Sequence, residues 1–432
     1  MSEVLDTAGR PVLAPSGSAP RPAGPLAGIR ICDFTGQMAG AGATRTLGAF
    51  GAQVIRIEDP TNQGRWDILR GMPPFVDERR GINLSGAFNT TNCEKLGVTL
   101  NVKTERGKEL LRRLVAISDV VTDNFAAGVL ARLGFGYDEL CAIRPDIVYV
   151  SNSGFGSTGP YAPYRTWGPI VQAVSGLTFS SGLPDQPPAG WGYSYMDHHG
   201  ANFMAIAILA AVVERDRTGQ GQWVDMACTE AGVALNGPAV LDHSVNGRPL
   251  RRPGMPNSNR STSPAMAPHG IYPCAGEDDW VALSCRDDDD WRAVARAIGT
   301  DWAADARFDR LAGRLADEDE LDRLVATWTA PRSRQEVVAV LEPTGVPAVA
   351  VARPGERIDQ DPSTEAWGMW PTVHQTEMGD VRVDGLPVHL SRSDWHLARG
   401  GPCLGEHNEE VFCGLLGLTT DELAQLHDEG VL

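Results

Sequence analysis

Asp197 is the residue of this chain whose type and position best suit covalent chemistry. It stands four residues before the start of an apolar run, residues 201–213, that predicts a long helix. An aspartate there can cap the helix by accepting hydrogen bonds from backbone N–H groups. The same helix N-terminus favours negative charge and would keep the carboxylate ionised at pH 7, as a nucleophile requires. The residues alone leave capping and catalysis both open.

A second candidate is a half-match to a dinucleotide-binding turn. Gly40 and Gly42 follow a predicted strand, and Glu58 ends the next strand, where an acid can bind a ribose. Arg45 stands where the third glycine of the pattern belongs. A tight strand-to-helix turn in an α/β sheet explains these glycines better than a nicotinamide cofactor does.

A glycine-rich loop at residues 153–164 is the third candidate. A tetrahedral intermediate of acyl transfer carries an oxyanion, which needs backbone donors arranged in advance. The N–H groups of Gly154, Phe155 and Gly156 could serve, because glycine lets a backbone approach a ligand closely. A cluster of β-turns without such a role explains the loop equally well.

The elements that would position these residues alternate between strand and helix. Strands are predicted at residues 28–34, 53–58, 98–102, 119–122, 147–151 and 223–227, and helices at 43–50, 105–117 and 197–217. Strands that alternate with helices favour a parallel sheet with right-handed crossovers. The sequence therefore predicts an α/β fold. A hairpin near residues 270–285 and the helices after it predict a smaller α+β part.

Composition excludes several classes of protein. The 432 residues are 42% hydrophobic and carry a net charge of −17, so a globular chain without nucleic acid or anionic membrane as partner is expected. The apolar run is shorter than the roughly 20 residues that span a bilayer. Eight cysteines without a C-x-x-C pair indicate neither a disulfide scaffold nor a metal site and suit the cytoplasm.

Several motifs in order resemble the class III CoA-transferases, the CaiB/BaiF-type family of formyl-CoA and carnitine transferases, which also includes α-methylacyl-CoA racemase. The opening segment is PLAGIRICDFTGQMAGAGATRTLGAFGAQVIRIE, followed by VTLNVKTERGKELLRRLVAISDVVTDNFAAGVLARLGFGYDEL and IVYVSNSGFGSTGPY. Later matches are RDRTGQGQWVDMA and LGEHNEEVFCGLLGLTTDEL. The resemblance extends from about Pro25 to Leu432.

The resemblance implies an architecture as well as a fold. It implies a Rossmann-like large domain with a parallel sheet at 26–228, and a linker at 229–269. A small α+β domain would occupy 270–352, and 353–432 would return to the large domain. Residues 1–25, rich in Ala, Pro, Ser and Gly, read as a disordered extension. The family's subunits interlock as a homodimer.

The implied reaction moves CoA from an acyl-CoA donor to a carboxylic acid, with Asp197 as nucleophile and with aspartyl anhydride and aspartyl-CoA thioester intermediates. CoA and acyl-CoA are then substrates, and neither a permanently bound cofactor nor a metal is implied. By resemblance, CoA contacts fall on Gly36, Gln37, Leu100, Lys103, Asn124, Phe125 and Arg132. Lys103 belongs to the only three lysines of the chain, which lie within residues 95–108.

The sequence departs from the family at three places. Asp59 stands where some members carry a basic residue, and SNRSTS at 258–263 stands in place of a glycine-rich loop. The racemase branch uses a histidine where this chain has Thr166-Trp167-Gly168, which favours the transferase. Trp167, Trp191, Tyr193 and Tyr195 either line an acyl site or belong to the core. A racemase-like isomerase, a non-catalytic CoA-binding subunit of a heteromer and, more remotely, a nicotinamide-dependent dehydrogenase stay open.

Overall fold

A computed structural model describes residues 4–5, 11–12, 24–183 and 185–432. The disordered extension expected at 1–25 falls almost wholly outside these residues; within it, Val4–Leu5 and Pro11–Val12 pair as short antiparallel strands. The chain forms two compact units. The large unit comprises the described residues up to Thr178, together with Gly190–Gly247 and Thr364–Leu432. The small unit comprises the described residues of Phe179–Ala189 and Arg248–Ser363.

A six-stranded parallel sheet organises the large unit, which confirms the predicted α/β fold. Its strands, in spatial order, are Leu96–Thr99, Gln53–Glu58, Arg30–Asp33, Val120–Asp123, Val148–Ser153 and Trp223–Ala227. Ile31 pairs with Val54 on one side and with Val120 on the other. The chain therefore winds outward in both directions from Arg30–Asp33, so the order of strands reverses beside that strand. In open α/β sheets ligands bind at such a reversal, beyond the carboxyl ends of the strands.

Helices cover both faces of this sheet, because its strands are apolar on both sides. Ile31 and Val120 face a core with Leu47 and Met204, whereas Cys32 and Val121 face the opposite core. The helices of the large unit are Ala41–Ala49, Gly86–Asn92, Glu105–Ala116, Val129–Arg132, Tyr137–Ile143, Gly168–Val174, Tyr195–Thr218, Cys228–Leu235, Gly237–Asn246, a π-helix at Glu409–Cys413 and Thr420–Asp428. Thr372–Gln375 and Gly379–Arg382 form an antiparallel pair in the same unit.

The helix Tyr195–Thr218, called the central helix below, begins two residues earlier than predicted. Ser194 occupies the N-cap position, so Asp197 lies in the first turn and is not the cap. Met204 and Ile208 are buried against the sheet, and Gly219, at φ +73°, ends the helix. By length and composition alone this helix could cross a membrane, but 44% of its apolar window is buried and core helices pass the same test.

An antiparallel sheet with helices forms the small unit, as the predicted α+β part requires. His269–Pro273 pairs with Trp280–Ser284, which also pairs with Ala348–Ala350. Trp291 and Val325 are buried in its core. Its helices are Asp288–Ile298, Leu311–Ala316, Glu318–Thr329, Arg334–Leu341 and Pro354–Asp359. The segment 258–263 contributes a strand, Ser261–Thr262, paired with Ala265–Met266.

Part of the segment expected to be a linker is helical and belongs to the large unit. Cys228–Leu235 and Gly237–Asn246 both lie within Gly190–Gly247. Cys228 and Ala231 are buried in a small core with Met196. The apolar residues of this stretch therefore form helices, and the change of unit comes after Gly247.

Candidate active site

A cleft of about 610 Å³ opens at the carboxyl ends of the parallel strands. Residues that directly follow successive strands line it: Phe34, Asp59, Leu100, Asn124 and Gly154. Asp197 also lines the cleft. Because five strands end at this edge, the sheet brings together side chains that are far apart in the chain.

The turn after Arg30–Asp33 is held rigidly at one side of the cleft. The Asn124 side chain accepts a hydrogen bond from the Gly36 N–H and donates one to its carbonyl, each at 2.9 Å. Gln37 has a positive φ of 54°, and its N–H donates to Asp67. A β-carbon at position 36 would lie 2.2 Å from the Trp66 ring, so the turn needs glycine there. Gln37 and Asn124 line the cleft, whereas Gly36 supports it from behind.

Asp197 is the half-buried carboxylate of the cleft. Burial raises its pKa to about 6, against the opposing effect of a hydrogen bond from Ser194. The carboxylate is therefore still mostly ionised at pH 7, although burial opposes the effect expected from the helix N-terminus. Cys228 lies beside it: burial, and then the charge of Asp197, raise the pKa of that thiol to about 12.

Gly154 is the part of the glycine loop that lines the cleft. Its carbonyl accepts hydrogen bonds from the N–H of Thr229 at 3.0 Å and from its hydroxyl at 2.9 Å. A side chain at position 154 would overlap the Thr166 hydroxyl, at 1.9 Å. Phe155 and Gly156 are not among the lining residues, and Phe155 packs on Tyr161 instead. Of the three backbone candidates, Gly154 alone is brought to the cleft.

The lysine and arginine side chains named from the sequence differ in their burial and in their position relative to the cleft. Lys103 lines the cleft and forms an ion pair with Asp59, with 2.8 Å between Nζ and Oδ2. Burial raises the pKa of Asp59, but hydrogen bonds from Lys103 and Thr61 outweigh burial and hold the pKa below its usual range. Lys95 is instead fully buried against Asp33. Arg132 is exposed and does not line the cleft, although its helix neighbour Val129 does.

Aromatic rings form another part of the lining. Phe125 lies edge-on to Trp66, with 5.0 Å between ring centroids, and both line the cleft with Leu100. Trp167 lines it too, whereas Trp191, Tyr193 and Tyr195 do not. Trp191 packs edge-on against Tyr195, which stacks on His199. Tyr193 stacks on His198, with 2.8 Å between the Tyr193 hydroxyl and His198 Nε2.

Comparison with known proteins decides the family. The family model described as CoA-transferase family III matches residues 26–408. This chain belongs to CoA-transferase family III. Succinyl-CoA–D-citramalate CoA-transferase of Chloroflexus aurantiacus is 33% identical over 415 residues, covering 96% of this chain and 100% of the relative. Formyl-CoA:oxalate CoA-transferase of Streptomyces avermitilis is 34% identical over 421 residues, covering 94% and 99%. The chain is therefore an enzyme that transfers CoA.

The fold agrees with a solved structure of the family. A CAIB/BAIF family protein from Brucella suis superimposes with a TM-score of 0.81 at 29% identity, covering 91% of this chain and 100% of that one. The predicted resemblance is thus confirmed for both sequence and fold.

For this family III transferase, the dinucleotide pattern has a structural explanation. Glu58 forms a buried ion pair with Arg70, with 2.5 Å between oxygen and nitrogen, so its carboxylate is already occupied. Gly42 lies inside the helix Ala41–Ala49, where a β-carbon would approach Ala201 of the central helix to 3.3 Å. These residues serve packing and charge pairing, which argues against a nicotinamide site.

Sequence reasoning missed many lining residues of the transferase cleft, among them Trp66, Asn152, Arg165 and Cys228. The glycine loop at residues 153–164 could have pointed to Asn152 and Arg165, because these two residues flank it in the sequence. Trp66 and Cys228 lie in segments without a motif of their own. No histidine is among the described residues that line the cleft.

Proposed function

We propose that this enzyme moves CoA from an acyl-CoA thioester to a carboxylic acid through covalent intermediates on Asp197. The observation that carries the proposal is the half-buried Asp197 carboxylate in the cleft, with a pKa of about 6. A group with that pKa is ionised and nucleophilic at neutral pH. It also lies in a cleft at the carboxyl ends of the parallel strands, the place where ligands bind in open α/β sheets.

The proposed reaction conserves the thioester bond. An Asp197 oxygen attacks the thioester carbon, the carbon–sulfur bond breaks, and CoA leaves as thiolate, which gives a mixed anhydride. The thiolate then attacks the aspartyl carbonyl, which releases the donor acid and leaves an aspartyl-CoA thioester. The acceptor carboxylate repeats these steps in reverse and departs as the new acyl-CoA. Each addition develops an oxyanion, and the Gly154 backbone is the candidate to stabilise it.

For CoA itself, we propose the side of the cleft away from the glycine loop. Gln37, Leu100, Asn124 and Phe125 line this side, and Lys103 supplies a cation for a phosphate. Gly36 does not line the cleft and would affect CoA binding through its hydrogen bond to Asn124. Arg132 does not line the cleft either, so its side chain would need to turn toward the ligand. Phe155 and Gly156 would keep a supporting role in the glycine loop.

The homodimer and the cytoplasmic location are further parts of the proposal. Phe203, Ile206, Leu209 and Val213 follow one another at helical spacing on the central helix and are exposed. Such an apolar stripe marks an interaction surface, and a second copy of the chain is the proposed occupant. The eight free cysteines suit a reducing compartment. We also propose that the large unit is the part of the chain that binds CoA.

The test is covalent labelling by acyl-CoA. The enzyme is incubated with acetyl-, succinyl- and butyryl-CoA, and intact mass and peptide mass locate the adduct. We expect an adduct on Asp197 that is absent from Asp197→Asn, whereas Asp421→Asn should label normally. Asp421 is a suitable control because it is an exposed aspartate in the first turn of another helix.

Full transfer activity in Asp197→Asn would overturn the mechanism. Binding of CoA without any adduct would favour the non-catalytic subunit, and α-proton exchange without transfer would favour the isomerase.

A further inference from the structure

Asp123 is a buried acid that forms no ion pair with any lysine or arginine among the described residues. It ends the strand Val120–Asp123. Four other buried acids of the large unit each have a cationic partner: Asp33, Glu58, Asp67 and Asp119. A buried charge without a cation is unfavourable, and burial raises the pKa of Asp123 to about 6 although two hydrogen bonds oppose it. An acid kept in such a place calls for a function.

Two hydrogen bonds hold the Asp123 carboxylate. Oδ1 accepts from the Phe125 N–H at 3.0 Å, which turns the chain at the end of the strand. Oδ2 accepts from the Tyr149 hydroxyl at 2.6 Å. Tyr149 is also buried and belongs to the neighbouring strand Val148–Ser153, so the pair bridges two strands inside the core. Tyr149 thus fixes one carboxylate oxygen and leaves the other in place for the Phe125 N–H.

The turn that Asp123 holds carries two side chains of the cleft lining, Asn124 and Phe125. The Phe125 ring lies 5.0 Å from the Trp66 ring and 6.3 Å from the Phe34 ring, measured between centroids, and all three rings line the cleft. Asp123 and Tyr149 are not lining residues themselves. They can therefore act on a ligand only through the turn.

We propose that Asp123 and Tyr149 are positioning residues, whose hydrogen-bonded pair fixes Asn124 and Phe125 in the conformation that binds the CoA portion of the substrate. The proposal rests on the proposed function, which assigns CoA to this side of the cleft. The CoA portion keeps its structure while the thioester reacts, so contacts to it stabilise the ground state and the transition state alike. Loss of the pair therefore raises KM for acyl-CoA and the Kd of free CoA, and it leaves kcat unchanged.

Substitutions remove the two hydrogen bonds separately. Tyr149→Phe removes only the hydroxyl, Asp123→Ala removes both bonds, and Asp123→Asn keeps an oxygen that can accept from the Phe125 N–H. Tyr272→Phe is the matched control, because the Tyr272 hydroxyl also donates to an aspartate, Asp322, at 2.6 Å. Tyr272 is buried in the core of the small unit and does not line the cleft. Both Tyr→Phe variants lose the same kind of bond, and only one of them loses it next to a cleft residue.

The primary measurement is binding of free CoA by calorimetry, which requires no covalent step. We expect the Kd to rise by about three- to tenfold in Tyr149→Phe and by about 10- to 100-fold in Asp123→Ala. Asp123→Asn should stay within about threefold of the wild type, and Tyr272→Phe should match it. Steady-state kinetics use whichever of acetyl-, succinyl- and butyryl-CoA labels Asp197. There KM should rise by the same factors, with kcat within about twofold of the wild type.

An unchanged Kd in Tyr149→Phe and Asp123→Ala would overturn this inference. Equal weakening in Tyr272→Phe would assign the effect to general stability, and no rescue in Asp123→Asn would remove the bond to Phe125 as its cause; either result would overturn it too. A fall in kcat as large as the rise in KM would assign the pair to the chemical step instead. If Asp123→Ala fails to fold, Tyr149→Phe decides, because it removes a single oxygen.

Failure of the proposed function gives a different result. A wild type that binds CoA, responds to these substitutions as expected and never becomes labelled on Asp197 would defeat the covalent mechanism and leave the positioning role intact. Normal labelling of Asp197 together with an unchanged Kd in the variants would defeat the positioning role alone.

Discussion

A β-carbon at position 168 would lie 2.9 Å from Oδ2 of Asp197 and 2.9 Å from Cβ of Ser194. Gly168 begins the helix Gly168–Val174, and Asp197 lies in the first turn of the central helix, so two helix starts meet at the carboxylate. The absence of a side chain at position 168 leaves room for the carboxylate to lie there. Gly168 has no positive φ, so space, and not backbone conformation, is what requires glycine.

Gly168→Ala should therefore impair catalysis by displacing the carboxylate. A displacement near 1 Å at a reacting group can cost about 100-fold in rate, and we expect kcat to fall by about 10- to 100-fold. Gly190→Ala is the matched control, because a β-carbon at position 190 meets no atom within 4 Å. Steady-state kinetics of both variants would test the contact, and normal turnover by Gly168→Ala would show that the carboxylate can move aside freely.

The pKa of Asp197 predicts the pH dependence of the donor reaction. Burial raises that pKa to about 6, and the ionised form is the proposed nucleophile. The value of kcat/KM for acyl-CoA should rise through pH 6 and reach a plateau above pH 7. At pH 5 it should be about tenfold below the plateau. A profile that stays flat between pH 5 and 7 would contradict ionisation of Asp197 as the controlling step.

The same pKa shift predicts that the ionised Asp197 carboxylate, which the reaction needs, lowers the stability of the folded protein. The folded-state pKa of Asp197 lies above the usual 3.8, so the folded protein prefers the neutral carboxyl. Its contribution to stability is complete below pH 4 and is lost as the pH rises through 6. Asp197→Asn should thus be inactive yet more stable than the wild type at pH 7, by about 2 kcal/mol. Urea unfolding at pH 4 and pH 7 measures this, and the difference should largely vanish at pH 4.

The sequence predicted the sheet well because its strands are buried on both faces or alternate in polarity. Gln53–Glu58 and Trp223–Ala227 have the predicted bounds, and the helix Glu105–Ala116 ends one residue earlier than predicted. The strand expected at 98–102 is found at Leu96–Thr99 instead. An apolar run alone does not mark where strand pairing stops, which explains the shift.

The site was predictable only in part, because its contacts join segments far apart in the chain. Asp197 and Lys103 could be named from the resemblance, and both line the cleft. The pairing of Lys103 with Asp59 depends on the order of strands, which brings their ends together. The close approach of Gly168 to Asp197 depends on how two helices meet, and no local pattern encodes that distance.

The Asp59–Lys103 pair predicts opposite effects of two substitutions on acyl-CoA binding. Lys103→Ala removes the cation proposed for a CoA phosphate and should raise KM for acyl-CoA by about tenfold. Asp59→Asn removes the competing carboxylate and should lower KM by about two- to fivefold. Lys108→Ala should change neither value, because Lys108 pairs with Glu105 outside the cleft lining. Initial rates at low and high salt would measure these shifts, which should shrink as salt rises.

Asn124 should act by positioning the turn that carries Gln37. Its side chain makes both hydrogen bonds to Gly36, so Asn124→Ala removes two bonds and frees a turn with a residue at positive φ. We expect kcat/KM for acyl-CoA to fall by about 10- to 100-fold and the free energy of unfolding to drop by about 1 to 3 kcal/mol. Asn246→Ala is the control, because the Asn246 side chain donates a hydrogen bond to Asp242 on an exposed helix. If Asn124→Ala lost affinity without any loss of stability, Asn124 would be a direct contact to CoA and not a support for the turn.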